Sequence, residues 1–402
     1  MLKYWIWLTT RKGLGPCGTD LLMRRFSTPE QAYFASEEAY AQIPGLRKTA
    51  SLMDKDLTGA QRILEQCRQK GICVMTYQDA AYPRRLRELE GAPYVLYYRG
   101  ILPDLNAPMI AVVGTRKSTQ YGNTQARKLG YELAACGCTV LSGGAAGIDT
   151  CALQGAVQAG GTAIAIVACG LDVTYPSENA GLFRKIMETS CLISEYPPGT
   201  PPLRYNFPAR NRILSGMSLG VLVVEAPKKS GALITAHSAM EQGKELFVLP
   251  ANVGQASTEG NLQLLRECAY PVAEVGDILQ HYQEQYPQIQ IKQQIVIPQQ
   301  PPEATCDKKV IDKPKTKAYI DVIEDASLMT ETEQKLVRQL CDGARHIDAL
   351  VEESGLSSGL VLSTLTMLEV RGIIRHTSAR VYELAEKQIE GAITCRRQKP
   401  AL

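Results

Sequence analysis

Ala111-Val112-Val113-Gly114-Thr115-Arg116-Lys117-Ser118 is the stretch on which the fold turns. A β-branched run ends in glycine, and two hydroxyls and two cations precede a helical pattern. Glycine lets the backbone approach a ligand, the first turn of the next helix offers unpaired amides, and Arg116 can add a bidentate contact. The segment therefore reads as a strand, loop and helix built around an anion. A tight βα turn with no ligand is the plainer alternative. The Gly-x-Gly-x-x-Gly of dinucleotide folds is missing from this loop, and no Gly-x-x-x-x-Gly-Lys-[Ser/Thr] occurs in the chain.

Outward from this stretch the alternation repeats. Candidate strands lie at 109–113, 139–141, 162–167, 191–194, 219–224 and 246–249, separated by helical stretches, the pattern of a doubly wound α/β sheet that is mainly parallel. In such sheets ligands sit beyond the carboxyl ends of the strands, so function is sought there. Ser142-Gly143-Gly144-Ala145-Ala146-Gly147-Ile148-Asp149 follows the second strand, and its small residues would leave amides open to repeated phosphates, or else permit close helix packing. Arg204-Tyr205-Asn206-Phe207-Pro208-Ala209-Arg210-Asn211-Arg212 interleaves arginines with aromatics, a mixture suited to an unpaired strand. Residues 204–229 carry five cations (Arg204, Arg210, Arg212, Lys228, Lys229) against one acid, Glu225, expected to pair with Arg212. Lys229-Ser230-Gly231 opens another helix on the same rim. Asp149 with Asp172 could be imagined as an acid–base pair, but a carboxylate here more often caps a helix or orients a loop. No nucleophile triad or metal cluster assembles, so no catalytic residue, metal or cofactor is expected.

Composition bounds the rest. The 402 residues are 45% apolar and 21% charged, with a net charge of +3, which excludes bulk disorder and leaves any nucleic-acid contact to local clustering. No apolar stretch approaches the roughly 18 to 20 residues of a membrane span. The apolar run at 4–8 is too short for an export signal. Twelve cysteines without Cys-x-x-Cys spacing fit a reducing, cytoplasmic compartment. Residues 1–100 read as a small helical domain with Gly13-Leu14-Gly15 as a helix-hairpin-helix turn, and 101–283 as the sheet domain. The Gln-, Pro- and Lys-rich 284–326 reads as a flexible linker, 327–387 as a winged helix and 388–402 as a tail. Between 330 and 384 six Lys or Arg face eight Asp or Glu, so protein contact is at least as plausible there as duplex DNA.

Taken together, Gly114-Thr115-Arg116 with Tyr121-Gly122, Ser142-Gly143 with Gly147-Ile148-Asp149, Gly170-Leu171-Asp172 with Tyr175-Pro176, Ser194-Glu195-Tyr196-Pro197-Pro198-Gly199, Phe207-Pro208 with Arg210-Asn211-Arg212, and Glu225-Ala226 with Lys229-Ser230-Gly231 resemble the DNA-processing protein A (DprA/Smf) family of bacterial proteins. The resemblance implies an extended Rossmann-like domain that binds single-stranded DNA without hydrolysing it. It also implies a homodimer that protects incoming DNA and loads the recombinase RecA in natural transformation. The DNA contacts it implies, with the loop residues read above, are Gly114, Thr115, Arg116, Ser142, Gly143, Gly144, Arg204, Phe207, Arg210, Asn211, Arg212, Lys229 and Ser230. Leu153 stands where a His is common in the family, which removes a plausible proton carrier. The competing enzymatic reading, a phosphoribohydrolase-like nucleotide-processing enzyme, would need a Pro-Gly-Gly-x-Gly-Thr loop that is absent. A third reading is a protein adaptor acting through the winged helix.

Overall fold

The computed structural model describes residues 1–47, 49–291, 330–340, 343–370, 373–378 and 381–384. It divides into two compact units, Met1–Gln300 and Pro301–Leu402.

In the first unit nine strands form one sheet: β1 (Cys73–Thr76), β2 (Val95–Gly100), β3 (Met109–Val113), β4 (Thr139–Ser142), β5 (Ala163–Ile166), β6 (Cys191–Ser194), β7 (Gly220–Val223), β8 (Glu245–Val248) and β9 (Tyr270–Pro271). Their order is β1-β2-β6-β5-β4-β3-β7-β8-β9. Strands β3 to β9 pair in parallel, whereas β2 is antiparallel to both β1 and β6. The period of two sends alternate residues of β3 to opposite faces. Ile110 and Val112 join the core beneath the helices Gln120–Ala135 and Ile148–Gln158, while Met109, Ala111 and Val113 join the core beneath Asn206–Met217 and Gly231–Glu241. This is the doubly wound, mainly parallel α/β architecture expected from the sequence. From β3 the chain builds towards β6 on one side and, through β7, towards β9 on the other, so the crevice where the direction reverses opens between the ends of β3 and β7.

Two segments inside the stretch read as helical, 73–76 and 95–100, are strands that extend the sheet. The other regular elements among the described residues of 1–100 are helices joined by turns. Trp5, Ile6, Trp7 and Leu8 are almost fully buried on the helix Leu2–Thr9, so the apolar run at the N-terminus is core. The expected linker begins with a packed piece: Ile289 is buried, and the Gln290 amide donates to the Cys136 carbonyl at 3.1 Å. Its remainder, residues 292–326, and the 388–402 tail lie outside the described residues.

The second unit has helices Glu331–Leu340, Ile347–Ser354 and Ser358–Val370 with a small sheet of β10 (Arg345–His346), β11 (Ile374–Ser378) and β12 (Val381–Leu384) in the order β10-β12-β11. Leu336, Val337, Leu340, Leu350, Val361, Leu365, Leu368 and Ile374 form its core. This is the winged-helix layout.

Candidate functional site

The loop after β3 is fixed from below. The Thr115 amide donates to the Glu225 carbonyl at 2.7 Å, and the Glu225 carboxylate accepts from the Thr119 amide at 2.9 Å and the Thr119 hydroxyl at 3.0 Å. Thr119 Oγ1 in turn accepts from the Gly122 amide and caps the helix Gln120–Ala135. Glu225 is therefore committed to this loop. The expected pairing with Arg212 does not form, because Arg212 Nη2 lies 2.5 Å from Glu195 Oε1 instead.

The loop after β4 is held from within. Asp149 Oδ2 accepts from the amides of Gly143 and Ala145 at 3.1 and 3.4 Å, the Ser142 hydroxyl donates to the Val112 carbonyl at 2.7 Å, and Asn179 donates to the Gly144 carbonyl. Ser142, Gly143 and Gly144 are buried, so the amides expected to lie open to phosphate at 143 and 145 are occupied by Asp149. Gly147, at φ +81°, brings this loop against the Thr115 carbonyl, where a side chain would have no room.

Between them stands the helix Asn206–Met217. Arg210, expected as a phosphate contact, is only 4% exposed: its Nη1 donates to the Ile166 carbonyl at 2.6 Å, and its guanidinium fills the space where Gly143 lacks a Cβ. Burial pushes the Asp149 carboxyl up from its ordinary value, against the opposing pull of Arg210 and the loop amides. Arg210 thus joins the β5 end to the β4 loop from beneath. One turn earlier, the Phe207 ring is half-buried; the Arg116 guanidinium carbon lies 4.6 Å from its centroid, and the Tyr175 ring meets it edge-on at 5.8 Å. Ser230 Oγ accepts from the Ala232 amide and caps the helix Gly231–Glu241, with Lys229 exposed beside it.

These pieces enclose a cavity of about 600 Å³ at the β3–β7 crevice. Gly114, Thr115, Arg116, Phe207, Arg210, Asn211, Lys229 and Ser230 line it, joined by Lys117, Pro227, Thr235, Ala256 and Ser257, which the sequence did not single out as contacts. Lys117 is legible in hindsight as a second cation in the deciding stretch; Ala256 and Ser257 carry no sequence signal. Ser142, Gly143 and Gly144 lie behind the wall. Arg204 is exposed and Arg212 half-buried, and neither lines the cavity. Arg116, Lys117 and Lys229 are exposed at its rim, while its one carboxylate, Asp149, is buried. A larger hollow of about 720 Å³, lined by Trp5, Tyr77 and Tyr94, is a poorer anion site, since its Arg24 is paired with Asp20 and its Glu88 and Glu90 are exposed. Among the described residues no cluster of His, Cys, Asp or Glu could hold a metal ion.

Residues 73–283 match the sequence profile of DNA recombination-mediator protein A, and residues 324–379 that of the DprA winged helix domain. The chain belongs to the DNA recombination-mediator protein A family. It is 32% identical over 392 residues to the Protein Smf of Synechocystis, an alignment covering 94% of this chain and 98% of that one. It is 38% identical over 247 residues to the DNA processing protein DprA of Streptococcus pneumoniae, covering 60% and 86%. The X-ray structure of the pneumococcal protein superposes with a TM-score of 0.63 at 32% identity, over 70% of this chain and 98% of that one. The family is one of recombination mediators. All the residues that line the β3–β7 cavity fall inside the matched span.

Proposed function

We propose that the crevice between β3 and β7 binds single-stranded DNA, and that the chain serves as a recombination mediator that protects the strand and passes it to RecA. The observation that carries this is the pairing of Arg116 with Phe207 at the mouth of a cavity whose exposed charge is all positive. A guanidinium beside an aromatic ring offers one group for a phosphate and one for an unpaired base, the two surfaces that a single strand presents together. The cavity's titratable groups favour binding over turnover: Asp149 is engaged by loop amides, and the rest are Arg and Lys. We therefore read the chain as a binding protein and not a nucleotide-processing enzyme. A cytoplasmic homodimer fits this role, because two sites on one particle raise the effective concentration of a tethered strand.

The test is fluorescence anisotropy of labelled single-stranded and duplex oligonucleotides across a salt series. Preference for the single strand, weakening as salt rises, is the expected result. Equal affinity for both, or none, would remove the reading, and screening nucleotides for hydrolysis would then come first.

A further inference from the structure

The cavity-lining ring of Phe207 has a neighbour whose position is set from outside the cavity. Tyr175 is 39% exposed and meets Phe207 edge-on at 5.8 Å, so that Phe207 lies in contact with both Tyr175 and Arg116. Tyr175 belongs to the loop that leaves β5, and this loop is tied down at Asp172. Asp172 Oδ1 accepts from the Gly199 amide at 2.8 Å, the Gly170 amide donates to the Thr200 carbonyl at 2.9 Å, and the Val173 amide donates to the Gly170 carbonyl at 2.9 Å. The second carboxylate oxygen, Oδ2, accepts from Lys70 Nζ at 2.6 Å. Lys70 caps the C-terminal end of the helix Thr58–Gln69, ahead of the span 73–283 that defines the family's central domain.

Resting on the single-strand reading above, we propose that Lys70 is a positioning residue for DNA binding: through Asp172 it fixes the 170–176 loop, so that Tyr175 and Phe207 act as a two-ring platform for bases. An isolated, partly exposed ion pair contributes little to global stability. Orientation is where it counts, since a binding group is only as precise as the residues that support it. The ammonium is engaged by Asp172, so Lys70 acts through the loop and not by meeting phosphate. The pair also neutralises a carboxylate close to a surface that must accept an anion.

The experiment measures binding of single-stranded oligonucleotides carrying 2-aminopurine, whose fluorescence falls on stacking, to the full chain and its Lys70→Met, Lys70→Arg, Tyr175→Ala and Lys70→Met/Tyr175→Ala forms across a salt series. Lys70→Met is expected to bind about threefold to tenfold more weakly with less quenching, at an unchanged salt slope, and Lys70→Arg to restore most of the affinity. In the Tyr175→Ala background the effect of Lys70→Met should vanish, because the loop then has no ring to position. Asp172→Asn, which keeps an acceptor for Gly199 while weakening the tie to Lys70, should reproduce the Lys70→Met defect and guards against misfolding of a single variant. Affinity of Lys70→Met equal to that of the unsubstituted chain would overturn the proposal. So would a defect that persists without Tyr175, or a salt slope lower by about 0.7, the mark of a direct phosphate contact. If the unsubstituted chain itself binds no single strand, the single-strand reading fails and this inference with it; if it binds and Lys70→Met matches it, only this inference fails.

Discussion

Arg116 and Arg210 both lie in the span that matches the family profile and both line the cavity, yet their surroundings give them different work. Arg116 is exposed over Phe207, whereas Arg210 is buried, donating to the Ile166 carbonyl with its charge facing Asp149. Arg116→Ala should lower the salt slope of single-strand binding by about 0.7, the value for one phosphate left without its cation. Phe207→Ala should weaken binding by about 1 to 3 kcal/mol per base unstacked, with the slope unchanged. Asp149→Ala should act on the fold: it leaves the Gly143 and Ala145 amides without their acceptor and removes the charge that opposes the buried Arg210 guanidinium, at a cost of about 1 to 3 kcal/mol readable as a lower urea midpoint. Adding Arg210→Met to that variant should recover part of the stability, because an apolar side chain then replaces a buried charge that no carboxylate opposes. An Asp149→Ala midpoint equal to that of the parent would mean that the two groups do not sustain each other.

At the scale of elements, the ion pair of Lys70 with Asp172 carries a pH dependence. Burial opposes ionisation of Asp172, but Lys70 and the Gly199 amide outweigh it and hold the carboxyl below its ordinary value. A depressed carboxyl contributes stability that is complete above its unfolded value and is lost as pH falls through the folded one. The difference in melting temperature between the parent and Lys70→Met, small because a partly exposed pair is worth at most about 1 kcal/mol, should therefore stay constant from about pH 5 to 8 and shrink below about pH 4; a difference that grows on acidification would reverse the sign argued for Asp172. The strands that build this rim were legible in unequal measure. Those from β3 to β8 stand out as β-branched runs closed by small or polar residues, because both of their faces are buried. Strands β1 and β2 carry a weaker signal: β2 runs antiparallel near the sheet edge, its second half, Tyr98-Arg99-Gly100, is partly or fully exposed, and the nearby Pro93 and the terminal Gly100 read equally well as loop. Strand β9 has two residues, one of them Pro271, which is too short for any periodicity. In the site, glycine and cation patterns placed the loops after β3 and β7 around one crevice, but burial decides which arginine meets solvent, and residue type alone does not report burial.

For the whole molecule, the division into Met1–Gln300 and Pro301–Leu402 separates the cavity from the winged helix. Its third helix, Ser358–Val370, is the element that in helix-turn-helix proteins enters a DNA groove, yet it holds no Lys or Arg, and Leu360, Leu362 and Met367 are 45%, 49% and 51% exposed on it. Phosphate binding needs cations, whereas exposed Leu and Met suit contact with another protein. A chain ended after residue 300 should therefore keep the single-strand affinity and salt slope of the full chain. That it folds alone is expected from its being a compact unit with core clusters drawn wholly from its own residues. Any contribution of the winged helix should surface instead in a reaction with RecA, measured as the rate at which filaments form on DNA already bound by the protein. A truncated chain that binds single strands as well as the full one but delivers them more slowly would place partner contact in the second unit; a lower salt slope on truncation would place phosphate contacts there.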